Sequence, residues 1–240
     1  MGRKLSQTVE KTDVRKMFDS IAHKYDFLNH FLSLGVDIYW RNKLVELLNP
    51  KSDQKFLDVA TGTGDVGFAI LKKQPKAQVV GIDFSEKMLK IGQNKIESRT
   101  QNQESRIQFQ VGDAQNLEFK DETFDGVTIA FGIRNVKNRE KAISEFYRVL
   151  KPGGKLVILE FGKPKFFLIR WMYSIYSNIV IPTIGKVFSK HIQAYSYLPQ
   201  TISEFPTRRK FLGQVQSAGF EKTGFQTLTN GIVTLFWGLK

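Results

Sequence analysis

The sequence predicts a doubly wound, mostly parallel seven-stranded α/β sheet in one domain, and three observations carry that expectation. From Phe56 to Phe161, short apolar runs alternate with segments of helical spacing, the pattern of successive βα units. Several runs end in small or acidic residues, as the carboxyl edge of such a sheet requires: Asp58 before Gly62-Thr63-Gly64, Asp83, and Gly112-Asp113-Ala114. Near the C-terminus, Asn230-Gly231 between two apolar runs is a hairpin signal, adding an antiparallel pair to five parallel strands.

Taken in order, residues 1–50 read as a helical lid. After a polar tail, Asp13 is a plausible N-cap, and Val14, Met17, Phe18, Ile21 and Ala22 recur at helical spacing. The stretch HKYDFLNHFLSLGVDIYWRNKLVELL follows, interrupted near Ser33-Leu34-Gly35. Its aromatic residues suit a core, whereas Tyr25, Asp26, Asn29 and Arg41 suit a cover that excludes water from chemistry. Residues 51–162 form the expected core of the fold. A βαβ unit spans Phe56 to Asp83, Ser85 caps a helix running to about Arg99, and Ile107, Phe109 and Val111 alternate as a third strand. Phe124–Ala130 is a fourth strand delivering Phe131-Gly132-Ile133-Arg134-Asn135 to the same edge. Helical spacing from Ala142 through Val149 and Leu150 stops at Pro152-Gly153-Gly154, and KLVILEF is a fifth strand.

Residues 163–205 break this rhythm. The run KPKFFLIRWMYSIYSNIVIPTIGKVF is apolar and aromatic, but Arg170, Asn178 and Pro182 interrupt it before a membrane-spanning length accumulates. It suits a cover for an apolar substrate, an interfacial segment with flanking lysines, or a piece of core. In 206–240, a helix over Arg208–Ala218 ends at Gly219, and strands Phe220–Leu228 and Ile232–Leu239 flank Thr229-Asn230-Gly231.

The glycines at the first turn let a ligand approach the backbone, and Asp83 is placed to accept hydrogen bonds from a ribose diol, so the Phe56–Asp83 stretch predicts a nucleoside site. Gly62, Gly64 and Gly67 also satisfy G-x-G-x-x-G, which leaves a dinucleotide open. With no cysteine, disulfides, thiolate metal sites and cysteine nucleophiles are excluded, and no spacing suggests a metal site. His23, His30 and His191 are isolated and suit surface or satisfied roles. No apolar h-region follows the basic N-terminus, so a cytoplasmic protein is expected. Formal net charge is +13, which fits a basic soluble surface, a nucleic-acid face or attraction to anionic lipid. The basic residues are scattered rather than blocked, which weakens the nucleic-acid reading.

The segments YDFLNHFLSLGVDIYWR, LDVATGTGD, GIDFSEKML, GDAQNLEF, FGIRNV, RVLKPGGKLVILEF and YSYLPQTISEFP, in this order over most of the chain, resemble the ubiquinone/menaquinone biosynthesis C-methyltransferases, a group of S-adenosylmethionine-dependent methyltransferases. The resemblance implies that Gly62, Thr63 and Gly64 lie against the methionine part of the cofactor, that Asp83 takes the ribose hydroxyls, and that Asp113 and Ala114 contact adenine. Asp58 is expected to orient the glycine loop. The chain departs from the family pattern at Leu28, Asp37 and Ala130, and Glu160 is followed by Phe161-Gly162 where the family has E-x-S. The implied substrate is a prenylated quinol, methylated at a ring carbon.

A sulfonium methyl is already electrophilic, so the protein must align it and make the ring carbon nucleophilic. Phenols ionise near pH ~10, so a cation or base must favour the phenolate. Arg134 suits the phenolate oxygen and Asn135 the other hydroxyl, with Tyr25 and Asp26 as further catalytic candidates; a structural ion pair at Arg134 is the competing assignment. Other expectations are weak adsorption to an anionic membrane at its inner face, no nucleic-acid partner, and room for a homo-oligomer. Rival functions are a methyltransferase for another apolar molecule, an RNA methyltransferase, a nicotinamide-dependent oxidoreductase, and a non-catalytic membrane-surface scaffold.

Overall fold

The structure, a computed structural model, describes residues 19, 22, 30, 33, 35–98, 106–162 and 200–240. One seven-stranded sheet organises them. Its strands are β1 (Lys55–Val59), β2 (Gln78–Asp83), β3 (Ile107–Val111), β4 (Phe124–Ala130), β5 (Leu150–Phe161), β6 (Glu221–Leu228) and β7 (Val233–Leu239). The spatial order is β3-β2-β1-β4-β5-β7-β6, with β7 antiparallel to both β5 and β6 and the other pairs parallel. The strand order reverses between β1 and β4, so the crevice for a ligand opens at the carboxyl ends of those two strands.

Helices cover both faces: α1 (Val36–Leu48), α2 (Asp65–Lys73), α3 (Glu86–Glu97), α4 (Arg139–Val149) and α5 (Arg208–Ser217). Alternation along β5 divides the core. Leu156 and Ile158 pack with Ile143 and Phe146 of α4 and Phe211 and Val215 of α5, whereas Val157 and Leu159 pack with Leu44 and Val45 of α1 and Ile70 and Leu71 of α2.

Local chemistry sets the ends of these helices. Gly35, at φ 78°, precedes α1 where the sequence expects an interruption. The Ser85 hydroxyl accepts from the Met88 amide at the start of α3, and the Asn138 side chain accepts from the Lys141 amide at the start of α4. Gly219, at φ 103°, follows α5.

One boundary differs from expectation. Leu150 opens β5 instead of closing α4, and it pairs with Phe124. The Pro152-Gly153-Gly154 stretch belongs to the strand because the C-terminus pairs with it: the Gly153 amide donates to the Lys240 carbonyl and the Lys240 amide to the Gly154 carbonyl. Gly153, at φ 75°, allows the bulge between Phe124 and Gly126 to be absorbed. The C-terminal hairpin has the expected turn, with Thr229, Asn230 and Gly231 all at positive φ. The proposed cap Asp13 and the segment 163–199 lie outside the described residues.

Candidate functional site

The glycine loop is built from the end of β1. Asp58 is fully buried, accepting from the Thr61 hydroxyl at 2.5 Å and from the Thr128 hydroxyl of β4 at 2.7 Å. It therefore ties the loop to the two strands that bound the crevice. Burial pushes its pKa from 3.8 to about 6, opposed by the two hydroxyls and supported by the nearby Asp83 and Asp65. Gly62 and Gly64, at φ 58° and 86°, turn the chain into α2.

Asp83, 7% exposed at the end of β2, accepts the Gly62 amide and the Ser85 amide, each at 2.9 Å and each on a different oxygen. A carboxylate has about four acceptor positions, so capacity remains for a diol presented from the crevice. Burial raises its pKa, and the amides of Ser85, Gly62 and Phe84 work against that. The Gly112 amide donates to the Asp83 carbonyl, which sets the Gly112-Asp113-Ala114 turn beside β2. Asp113 there accepts from the Gln115 amide at 3.1 Å, so it caps its own turn as well as standing at the edge.

The structure reveals a polar chain along this side that the sequence does not signal. The Lys95 ammonium of α3 donates to the hydroxyl of buried Thr63 and to Asp65, both at 2.8 Å. Asp65 lies 3.5 Å from the Arg41 guanidinium, which is 2.7 Å from Asp37, and Asp37 is 2.6 Å from Nδ1 of His30. Burial raises the pKa of Asp37, but the Ser33 hydroxyl, Arg41 and His30 reverse this and bring it below the usual value. A second link runs from Asp19, which accepts from the Ser85 hydroxyl at 2.5 Å. The N-terminal segment thus touches Asp65, which follows the glycine loop, and Ser85, two residues beyond the Asp83 strand. His30 is satisfied, as expected; His23 and His191 lie outside the described residues.

Across the crevice, the end of β4 carries a different kind of surface. Phe131 stands at φ 56° and Ala60, at the end of β1, at φ 51°. A Cβ on Gly132 would meet the Ala60 Cβ at 2.6 Å, so glycine lets these two loops abut. Arg134 and Asn135 lie in the short 3-10 turn Ile133–Asn135. The Arg134 guanidinium pairs with Glu160 of β5 at 2.8 Å, donates also to the Phe131 carbonyl, and sits 5.4 Å from the Phe161 ring centre. The competing ion-pair assignment for Arg134 is therefore real, and Glu160 is the partner that sequence reasoning gave no role. A carboxylate closing the apolar run KLVILEF was the available signal, because a charge so placed is buried only when paired.

The Phe131 and Phe161 rings lie 4.5 Å apart, with Trp40 of α1 at 6.0 and 6.2 Å from them. The Trp40 indole donates to the Thr229 hydroxyl at 2.7 Å and so fastens α1 to the C-terminal turn. Beside Phe161, a cavity of about 420 Å³ is lined by Ile202, Phe205, Phe225, Phe236, Thr234 and Arg208 among others. Tyr25 and Asp26 lie outside the described residues.

The site therefore has a polar side, rich in backbone amides and carboxylates, and an aromatic side with one embedded guanidinium. The model of the ubiE/COQ5 methyltransferase family matches residues 6–240. A demethylmenaquinone methyltransferase of Bacteroides fragilis is 48% identical over 230 residues, covering 95% of this chain and 92% of that protein. The ubiquinone/menaquinone biosynthesis C-methyltransferase UbiE of Geotalea daltonii is 44% identical over 238 residues, covering 99% of each. In solved structures, a SAM-dependent methyltransferase of Thermotoga maritima shares the fold, with a TM-score of 0.65 at 20% identity over 94% of this chain and 99% of its own. The chain belongs to the ubiE/COQ5 methyltransferase family and is an S-adenosylmethionine-dependent enzyme.

Proposed function

We propose that the chain methylates a ring carbon of demethylmenaquinol, with the corresponding prenylated benzoquinol as a second acceptor. The names of its relatives support the substrate. The observation that carries the reading for this chain is the junction of β4 and β5, where the Arg134 guanidinium is set among aromatic rings, with a cavity beside Phe161 that Phe205, Phe225 and Phe236 line together with Arg208 and Arg209. A planar acceptor with an ionisable hydroxyl matches that surface.

Bound S-adenosylmethionine supplies the electrophilic methyl group. Asp83 binds its ribose hydroxyls, Gly62, Thr63 and Gly64 lie along its methionine part, and Asp113 with Ala114 meets its adenine, while Asp58 keeps the loop in place. On the acceptor side, Arg134 favours the ionised hydroxyl and Asn135 orients the other one, with Tyr25 and Asp26 as further contributors from the N-terminal segment. Phe131, Phe161 and Trp40 keep water from the reacting carbon.

Anaerobic incubation with labelled S-adenosylmethionine and each reduced quinol separately tests the reading. Label is expected in the naphthoquinol ring; no label in either quinol would overturn it.

The protein also adsorbs weakly to anionic bilayers, at the cytoplasmic face where such a substrate resides. The charge of +13 supports this, as do Ile38 and Tyr39, 51% and 47% exposed on α1 near Lys43. Among the described residues no helix is long and apolar enough to cross a membrane. Sedimentation with phosphatidylglycerol-containing vesicles should pull the protein down at low salt and release it at high salt, and Ile38→Ser with Tyr39→Ser should weaken it. Equal recovery with pure phosphatidylcholine would count against adsorption through charge.

A further inference from the structure

Glu160 is wholly buried, yet it serves three donors. One oxygen takes Nη1 of Arg134 and the Phe161 amide, both at 2.8 Å, and the other takes the Arg134 amide at 3.2 Å. The same Nη1 also donates to the Phe131 carbonyl. The arginine is therefore held at one corner of its planar fork, by its own backbone turn and by β5. Its side chain is 7% exposed, and its Nε is buried without a hydrogen-bond partner. A buried, orphaned guanidinium donor is expensive unless something accepts from it at another stage of the cycle.

We propose that Glu160 is the positioning residue of the acceptor site: it fixes the plane of Arg134 so that the Nε edge is kept for the acceptor oxygen, and its negative charge sets the pH at which that oxygen ionises. This rests on the assignment of Arg134 to the acceptor hydroxyl. Glu160 does not itself take the proton, because both its oxygens are occupied and none of its surface is open. Its charge nevertheless opposes a phenolate held by the same guanidinium. Among the described residues, Arg208 of α5 also faces this pair, its Nε donating at 3.1 Å to Thr234, the residue opposite Glu160 on β7, and Arg209 lines the cavity beside Phe161. Arginine stays charged across any assay range, so the tuning falls to Glu160.

Glu160→Gln keeps an oxygen for Nη1 and the Phe161 amide but removes the charge. A unit charge roughly 6 Å away, at an effective dielectric of about 20, is worth up to roughly two pH units. The acid limb of kcat against pH, measured anaerobically with demethylmenaquinol, should therefore move to lower pH by about one to two units. The KM for S-adenosylmethionine should be unchanged. A limb superimposable on wild type, with turnover merely scaled down, would reduce Glu160 to a structural role and overturn the proposal.

Should Glu160→Gln not fold, Glu160→Asp keeps the charge and withdraws the anchor. It should lower kcat without moving the limb, and unchanged kcat would overturn the proposal. Arg134→Ala separates the two levels. If it turns over normally, the acceptor assignment of Arg134 fails; if it is slow while Glu160→Gln shows no shift, only the role of Glu160 fails.

Discussion

The two sides of the crevice are held by different means. On the β2 side, the groups placed for the cofactor are fixed by hydroxyls and backbone amides: Asp58 by the hydroxyls of Thr61 and Thr128, Asp83 by the amides of Gly62 and Ser85. On the β4–β5 side, the partners come from distant parts of the chain, Arg134 with Glu160 and Trp40 with Thr229, 189 positions apart. A pocket of backbone amides, hydroxyls and carboxylates can be reused with many acceptors. A surface that selects one acceptor needs the whole sheet to be assembled first.

This contrast can be broken in four ways. Arg134→Ala should have the largest effect, lowering kcat by roughly 10²–10³-fold through loss of a preorganised donor, with cofactor affinity unmoved in calorimetric titration. Loss of cofactor affinity instead would place Arg134 on the donor side.

Next comes the buried carboxylate of Asp58. Its folded pKa of about 6 lies above the ordinary 3.8, so its contribution to stability is full below 3.8 and is lost as pH rises through 6. In the absence of cofactor, the stability of wild type relative to Asp58→Asn should therefore fall by at most about 3 kcal/mol between pH 4 and pH 7. A difference that does not vary with pH, in denaturant titrations at matched salt, would mean that Asp58 is not ionising in this window.

Asp83→Ala should then weaken S-adenosylmethionine binding by about tenfold to a hundredfold, the usual cost of removing a charged acceptor, while kcat at saturating cofactor changes little. The smallest effect is expected for Trp40→Phe, which keeps the ring cluster and loses the hydrogen bond to Thr229. About 1 kcal/mol of stability should go, with a raised KM for the quinol. A raised KM for the cofactor would show that the α1 contact serves the other side.

The same contrast explains how much was legible in the sequence. All seven strands follow from periodicity and strand-end residues, because the side-chain alternation is local. Leu150 belongs to β5 despite its helical spacing because its partner is Phe124 and because the stretch after it pairs with Lys240. Glu160 and Lys95 were missed for a related reason: each is one charged residue at the end of an ordinary element, and only the fold brings Glu160 to Arg134 and Lys95 to Thr63. Asp37, noted only as a departure from the family pattern, is the acid that joins His30 to Arg41.

The division of labour itself is tested most directly by measuring cofactor affinity and turnover on the same two variants, Asp83→Ala and Arg134→Ala. The account predicts a crossed result, with affinity lost and saturated turnover kept in the first, and turnover lost with affinity kept in the second. Parallel losses of both quantities in both variants would contradict it.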